Sequence, residues 1–327
     1  MSADFAGARV LITGGLGFIG SNLARRLVGC GAEVTIVDSL FPDYGGSMFN
    51  LDGIAERVRV NISDVRNGPA MQHLVRGQDF LFNLAGQTSH LDSMLNPTAD
   101  LEINCAAQLA ILETCRSVNP EIRIVFASTR QIYGKPEQLP VPETHPLNPV
   151  DVNGINKIAG EMYHLLYSRV HGIRATSLRL TNTIGPRMRI KDARQTFVGV
   201  WIRNLLRGEP IEVWGGTQRR DLTDVNDAVE AFLLAARDRR AEGQVYNVGG
   251  SEVIDLKSLA QLMIEVNGGG QMLEREFPAE RRAIDIGDYY ADDTKLREQL
   301  GWSPQRSLRE TIERTLAFYR EHLAEYT

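Results

Sequence analysis

Residues 9–20 decide the fold of this chain, and they read Arg9-Val10-Leu11-Ile12-Thr13-Gly14-Gly15-Leu16-Gly17-Phe18-Ile19-Gly20. The apolar run at positions 10–12 is typical of a parallel strand that is covered on both faces. Gly14 allows a tight turn, Gly17 lets backbone approach a ligand closely, and Gly20 lets a helix pack against the strand. A helix predicted at residues 21–27 would point its free amide groups at the turn, an arrangement that suits a pyrophosphate.

Asp38 ends the next predicted strand, residues 33–38, and lies eighteen residues beyond Gly20. A carboxylate at this place in a dinucleotide-binding unit accepts hydrogen bonds from the adenosine ribose. It would repel a ribose 2′-phosphate, because both groups are negatively charged. The spacing therefore favours NAD over NADP as the ligand of this turn.

The composition is ordinary for a globular protein. The chain has 327 residues, of which 43% are hydrophobic and 24% charged, and its formal net charge is −5. This charge argues against a nucleic-acid partner or an anionic membrane surface, and no apolar run has the length of a membrane span. Cys30, Cys105 and Cys115 have neither metal-ligand spacing nor a paired framework. With no room for a signal peptide before the first strand, we expect reduced thiols, no bound metal and a cytoplasmic location.

Predicted strands alternate with predicted helices through the first half of the chain. Strands are expected at residues 58–62, 80–86, 122–127 and 174–180, and helices at residues 101–117 and 153–170. The alternation is typical of a doubly wound parallel α/β sheet, in which ligands bind beyond the carboxyl ends of the strands. We expect a Rossmann domain at residues 1–180 and a smaller, partly interleaved α/β substrate domain at residues 181–327. Part of residues 223–250 is expected to return to the first domain.

Further short motifs follow the glycine turn along nearly the whole chain. They are Asp64-Val65-Arg66, Asn83-Leu84-Ala85-Gly86, Ser128-Thr129 before Tyr133-Gly134, Asn182 before Gly185-Pro186-Arg187, residues 218–223, and residues 287–292 with Gly301-Trp302. Together they resemble the extended short-chain dehydrogenase/reductase family, and within it the nucleotide-sugar epimerases and dehydratases. The resemblance implies an NAD-dependent isomerase that oxidises one sugar hydroxyl and later returns the hydride.

The resemblance also implies roles for individual residues. Cofactor contacts are implied for Gly14, Gly17, Phe18, Ile19, Gly20, Asp38, Ser39, Asp64, Val65, Leu84, Ala85, Gly86 and Lys157. Thr129 matches the residue that hydrogen-bonds the reacting sugar hydroxyl, and Lys157 matches the lysine that binds the nicotinamide ribose. Substrate contacts are implied for Gln87, Asn182, Arg220 and Arg282. Arginine suits a nucleotide diphosphate because its planar fork pairs with phosphate oxygens.

The tyrosine that the family uses for catalysis is absent. Family members carry Tyr-x-x-x-Lys on one helix, which puts the phenol and the ammonium group on the same face. Lys157 is present here, but Asn153 stands four residues before it. An amide cannot accept the proton of a sugar hydroxyl at neutral pH, as a phenolate would. The sequence therefore lacks the expected general base.

Three explanations remain open for this gap. Another side chain accepts the proton, and His90, in the loop predicted after the strand at residues 80–86, is the first candidate, ahead of Tyr133 and Arg130. Alternatively, Thr129 relays the proton, through water. In the third explanation the chain is a catalytically weakened protein that binds NAD and a sugar nucleotide.

Other details bear on the reaction and the assembly. Arg130 and Gln131 follow Thr129 where dehydratases carry an Asp-Glu pair, which disfavours elimination. Residues 85–87 and 128–129 resemble those of the 2-epimerases that act on CDP-activated dideoxysugars. The sequence fits a 4-epimerase at least as well, and the alternative function is a nucleotide-sugar dehydratase or oxidoreductase. By the same resemblance, the helices at residues 101–117 and 153–170 would pair across a homodimer.

Overall fold

A seven-stranded parallel sheet forms the centre of the part that the structure describes, residues 5–277 and 285–327 of a computed structural model. In spatial order its strands are β10 (Val245–Val248), β6 (Arg174–Leu180), β5 (Arg123–Thr129), β4 (Phe80–Asn83), β1 (Arg9–Thr13), β2 (Glu33–Asp38) and β3 (Val58–Ile62). Every neighbouring pair is parallel. The predicted doubly wound α/β fold is confirmed.

Helices cover both faces of this sheet, as the near-continuous apolar strands require. In chain order, the α-helices of the whole described chain are α1 (Phe18–Gly29), α2 (Gly68–Val75), α3 (His90–Leu95), α4 (Pro97–Leu101), α5 (Ala107–Val118), α6 (Val152–His171), α7 (Phe197–Arg207), α8 (Val225–Arg237), α9 (Leu256–Asn267), α10 (Thr294–Leu300) and α11 (Leu308–His322), of which α7, α9 and α11 lie away from this sheet. Val10 and Ile12 pack with side chains of α1 and α8 in one buried cluster. Leu11, between them in sequence, packs on the opposite face with α2 and α5.

The strand order reverses at β1, and this reversal positions the site. From β1 the chain runs to β2 and β3 on one side, and then to β4, β5 and β6 on the other. The loops that leave β1 and β4 consequently diverge and leave a crevice at the carboxyl ends of the strands.

Two smaller sheets lie in the second half of the chain. One contains β11 (Val253–Asp255), β9 (Arg219–Asp224) and β7 (Asn182–Ile184), and the other pairs β12 (Met272–Arg275) with β8 (Ile211–Trp214). Helices α7, α9 and α11 contribute Trp201, Leu259 and Leu316 to a separate buried cluster around these sheets. Helix α8 and strand β10, although they follow β9 in sequence, join the large sheet. The expected domain limits at residue 180 stay a prediction.

Some predicted elements differ from those in the structure. The helix expected at residues 101–117 begins earlier, at α4, where Asn96 caps a turn that starts with Pro97. A π-helical turn, Glu102–Ala106, separates α4 from α5. His90, expected in a loop, is the first residue of α3, because the Ser89 hydroxyl accepts a hydrogen bond from Asp92 N and caps the helix. Within the described residues, no helix combines the length and the apolar character needed to cross a bilayer.

Candidate active site

A cavity of about 440 Å³ lies at the carboxyl ends of β1, β2, β4 and β5. The predicted site residues that line it are Gly14, Gly17, Phe18, Ile19, Gly20, Asp38, Ser39, Asp64, Val65, Leu84, Ala85, Gly86, His90, Thr129, Asn153, Lys157 and Asn182. Of the other predicted residues that the structure describes, Gln87 and Arg220 are buried behind the lining. Arg282 lies outside the described residues.

The glycine turn lines the cavity at the carboxyl end of β1, between the ends of β4 and β2. Gly14 has a φ of +67°, a left-handed conformation that glycine adopts without strain. A Cβ atom on Gly20 would come within 2.3 Å of the Gly14 carbonyl oxygen, so only glycine fits where α1 packs on the turn. Helix α1 starts at Phe18 with no side chain capping its first amide groups. These free N–H groups face the cavity and fit a pyrophosphate.

Two carboxylates line the neighbouring part of the cavity. Asp38 accepts hydrogen bonds from Leu16 N at 3.1 Å and Leu40 N at 2.9 Å, and burial raises its pKa. Asp64 pairs with Arg66 at 2.7 Å, and this hydrogen bond lowers the pKa of Asp64. Within the described chain Asp38 has no ion pair, so its remaining lone pairs can accept ribose hydroxyls, and a 2′-phosphate would meet an uncompensated negative charge. The residues present thus fit NAD.

Lys157 lies at the centre of the lining. Its ammonium group donates to the Ala127 carbonyl oxygen at 3.2 Å and stands 5.0 Å from the centroid of the Phe126 ring. Burial lowers the pKa of Lys157 to about 8, so the side chain is still mainly protonated at pH 7. A Cβ atom on Gly86 would approach the ammonium nitrogen to 3.0 Å, so the strand end after β4 stays close to it.

Asn153 occupies the position of the missing tyrosine and is held in a buried polar network. Its side-chain amide nitrogen donates to Gln87 O at 2.8 Å, to Gln87 Oε1 at 3.2 Å and to Asp100 Oδ2 at 3.0 Å. The other oxygen of Asp100 accepts from Asn156 Nδ2 at 2.8 Å. Only 3% of Asn153 is exposed. Its amide therefore anchors the Gln87 segment and Asp100 to helix α6.

His90 forms a close pair with Asp151, the N-cap residue of α6. The distance from His90 Nδ1 to Asp151 Oδ2 is 2.6 Å, while Asp151 Oδ1 accepts from Gly154 N at 2.7 Å. Burial raises the pKa of Asp151, but the His90 hydrogen bond and the N-cap bond outweigh it, and the net shift is downward. An ionised carboxylate only accepts hydrogen bonds, so Nδ1 is the donor of this pair, and in the neutral imidazole the lone pair is then on Nε2.

Thr129 and its neighbours form the end of the cavity beyond Lys157. Thr129 is the last residue of β5, and its hydroxyl accepts a hydrogen bond from Gln131 N at 3.3 Å. Arg130 Nη2 donates to Asn182 Oδ1 at 3.2 Å. Arg220 instead donates to the carbonyl oxygens of Arg219 and Gly287, which lie off the cavity surface.

Sequence reasoning missed two acids of this site. Asp151 directly precedes helix α6 and was detectable as an N-cap residue, but its partner His90 is 61 positions away in sequence. Asp100 is fully buried beneath Asn153 and Asn156. Neither pairing follows from a local pattern, because the contacts form only when α3 and α4 pack on α6.

Comparison with known proteins identifies similar chains. The model of the NAD dependent epimerase/dehydratase family matches residues 10–249. A putative UDP-glucose 4-epimerase of Methanocaldococcus jannaschii is 31% identical over 96% of this chain and 99% of its own length. A dTDP-glucose 4,6-dehydratase of Streptomyces niveus is 29% identical over 97% of this chain and 94% of its own. The crystal structure of a UDP-glucose 4-epimerase from Thermotoga maritima with UDP-glucose superposes with a TM-score of 0.88 at 29% identity, covering 96% of this chain and 99% of that one.

Proposed function

Because the chain belongs to the NAD-dependent epimerase/dehydratase family, we propose that it is a nucleotide-sugar epimerase with an altered proton-transfer group. The observation that carries this proposal is a single cavity lined by the glycine turn, Asp38, Lys157, Thr129 and a histidine–aspartate pair. NAD, when bound, supplies a hydride acceptor and later a hydride donor. The remaining steps are assigned to side chains of this chain.

We infer that the cofactor and the sugar bind to different parts of the cavity. The amide groups at the start of α1 would bind the pyrophosphate, and Asp38 would accept the adenosine ribose hydroxyls. Lys157, buried and protonated, would donate to the second ribose, and its positive charge would make the oxidised nicotinamide a better hydride acceptor. Thr129 would hydrogen-bond the reacting sugar hydroxyl at the end of β5.

We assign the proton transfer to His90. Its Nδ1 donates to Asp151, so Nε2 is the nitrogen that accepts the hydroxyl proton, and Asp151 stabilises the imidazolium that results. The same nitrogen returns the proton when the hydride returns. The carboxylate also fixes the ring orientation and the tautomer, as an acid does for a catalytic histidine in other enzymes.

The competing bases are chemically weaker. Asn153 directs its amide protons at Gln87 and Asp100 and has no basic atom. Burial raises the pKa of Tyr133 to about 12, and its phenol is engaged with Asn247 and Arg179. Arg130 stays protonated at neutral pH. The dehydratase alternative lacks the Asp-Glu pair after Thr129, because Arg130 and Gln131 stand there.

The test is product analysis with NAD and a panel of UDP-, dTDP-, CDP- and GDP-hexoses. We expect one sugar to equilibrate with a stereoisomer of equal mass, whereas a dehydratase gives a product lighter by one water. The absence of any new sugar in all incubations refutes the epimerase proposal and favours a binding protein.

His90→Gln tests the assignment of the base. We expect kcat to fall by about 10²- to 10⁴-fold, the contribution of a general base, with KM within a few-fold of its original value. Asp151→Asn should lower kcat less, because asparagine still caps α6 but carries no charge to stabilise the imidazolium. His73→Gln, on the exposed surface of α2, is the matched control. An unchanged kcat in His90→Gln refutes the assignment.

We further propose a homodimer formed through α6. Four large apolar side chains of this helix, Ile155, Met162, Leu166 and Val170, are between 39% and 60% exposed. Leu101, at the end of α4, is 47% exposed as well. Burying such a stripe against a second copy would remove apolar surface from water. Sedimentation velocity should give a dimer that Met162→Glu dissociates, and a monomeric parent protein would refute this. The three free cysteines favour the cytoplasm.

A further inference from the structure

Arg130 is a buried cation without a carboxylate partner. It is 8% exposed, it lines the cavity, and its guanidinium carbon lies 5.1 Å from the centroid of the Tyr289 ring. Nη2 donates to the neutral amide oxygen of Asn182. Nη1 is fully buried and has no hydrogen-bond partner among the described residues. A charge in this state is unfavourable unless something else binds it.

The acids nearest to Arg130 are occupied elsewhere. Asp151 binds His90 and Gly154 N, and Asp221 accepts from Thr181 Oγ1 and Ala291 N. These two and Asp285 attract Arg130 electrostatically, but none of the three forms an ion pair with it. Burial is the dominant influence and lowers the pKa of Arg130. The described part of the protein thus gives Nη1 of Arg130 no acceptor, although the side chain lines the cavity, and an anion could supply one.

The position of Arg130 identifies which part of a ligand it meets. It directly follows Thr129, the residue assigned to the reacting sugar hydroxyl, and consecutive Cα atoms are only about 3.8 Å apart. Ser128, on the other side of Thr129, also lines the cavity with a buried hydroxyl that has no partner in the described chain. Ser128 and Arg130 thus both line the cavity next to Thr129 at the end of β5, whereas the glycine turn that would hold the cofactor pyrophosphate follows β1, with β4 between the two strands.

From these observations we propose that the sugar of the substrate carries a carboxylate, and that Arg130 and Ser128 bind it. This inference rests on the proposed function and specifies its substrate class as nucleotide-activated acidic sugars. An arginine fork pairs with the two oxygens of a carboxylate, and a serine hydroxyl adds a third donor. A neutral hydroxymethyl group at the same place would leave the guanidinium charge uncompensated. Arg130 then determines specificity without taking part in proton transfer.

Binding of three ligands that share one nucleotide tests the proposal. UDP, UDP-glucose and UDP-glucuronate are titrated calorimetrically into the NAD-loaded protein, because the last two differ only in the sugar carboxylate. We expect UDP-glucuronate to bind at least tenfold more tightly than UDP-glucose. Arg130→Gln should abolish this preference and leave the affinity for UDP within about twofold. Arg59→Gln, which removes the same charge from a side chain that is 81% exposed, should retain the preference.

Each other outcome contradicts the proposal. Equal affinity of the parent protein for the two sugars, or no binding of the glucuronate, removes the carboxylate site. If Arg130→Gln weakens UDP as strongly as UDP-glucuronate, the arginine binds the diphosphate. Arg130→Met, with its thermal unfolding measured in NAD, guards against a folding defect of the glutamine variant. Product analysis tests the proposed function separately from these titrations. Epimerisation of a neutral sugar supports the epimerase proposal even when the protein does not prefer an acidic sugar.

Discussion

Replacing Asn153 with tyrosine restores the family's Tyr-x-x-x-Lys spacing, yet we expect a less stable protein with no higher activity. The reason is the network below the side chain. Asn153 Nδ2 is the donor 3.0 Å from Asp100 Oδ2, and Asp100 is fully buried. Tyrosine in this position has no amide to donate, so one oxygen of a buried carboxylate loses its partner.

The magnitude follows from the groups that change. A hydrogen bond to a charged group contributes about 1.5–3 kcal/mol, and Asp100 retains only the bond from Asn156 Nδ2. The Gln87 carbonyl oxygen stays satisfied, because Asn104 Nδ2 also donates to it at 2.9 Å. We therefore expect both Asn153→Tyr and Asn153→Ala to lower the free energy of unfolding by about 2 kcal/mol, since both remove the same donor.

Urea denaturation of the NAD-free proteins, followed by tryptophan fluorescence and linear extrapolation, measures this loss. Asn61→Tyr, an identical change at an exposed position of β3, should stay within about 0.5 kcal/mol of the parent protein. Steady-state kinetics on the same samples should give kcat no higher than the parent value, because we assign the proton transfer to His90. An Asn153→Tyr protein that is as stable as the parent, or that turns over faster, would refute the reasoning on the network or on His90 respectively.

Two other substitutions have signs that the structure determines. Lys157→Met should abolish turnover but raise the free energy of unfolding by about 3 kcal/mol at pH 7, because burial lowers the pKa of Lys157 from 10.5 to about 8. Below pH 8 Lys157 is protonated in both the folded and the unfolded parent protein, so the full cost of burying its charge applies. This cost fades between pH 8 and 10.5, and the stability gain of the variant should shrink over that range. A gain that does not change with pH contradicts this, and Lys135→Met, at an exposed position, is the control. Gly20→Ala should weaken NAD binding at least tenfold, because the new Cβ atom would come within 2.3 Å of the Gly14 carbonyl oxygen. Gly29→Ala, in the same helix, should leave NAD binding unchanged, because no atom lies within 4 Å of its new Cβ. Calorimetric titration with NAD measures both affinities.

Sequence patterns predicted the elements that are repetitive and missed those that depend on tertiary contacts. The strands at residues 33–38, 58–62 and 174–180 agree with β2, β3 and β6, since an apolar or alternating run needs no partner to be recognised. Strands such as β7 and β11 span three residues each, and pairing with β9 forms them. Helix α3 has only six residues and is defined by its Ser89 cap.

The candidate site shows the same division at the level of side chains. The glycine pattern determines the path of the backbone, and all predicted cofactor contacts of the glycine turn line the cavity. Gln87 and Arg220 stay predictions as substrate contacts, because a motif determines neighbours along the chain and not the direction of a side chain. Gln87 contacts Asn153, and Arg220 donates to backbone carbonyl oxygens. Arg130, a weaker candidate by sequence, lines the cavity with an unpaired Nη1 atom.

Helix α6 connects the altered residue with the proposed base. Its N-cap Asp151 binds His90, Asn153 two residues later binds Asp100 and the Gln87 segment, and Lys157 follows about one turn after Asn153. In the usual arrangement this helix would carry the base itself. Here the proposed base lies on α3, and α6 carries the acid that pairs with it and the lysine for which we propose a contact with the cofactor. Position 153 then no longer needs a proton-transfer group. The amide of Asn153 instead stabilises the packing of α3 and α4 on α6, and the distance between His90 and Asp151 depends on this packing.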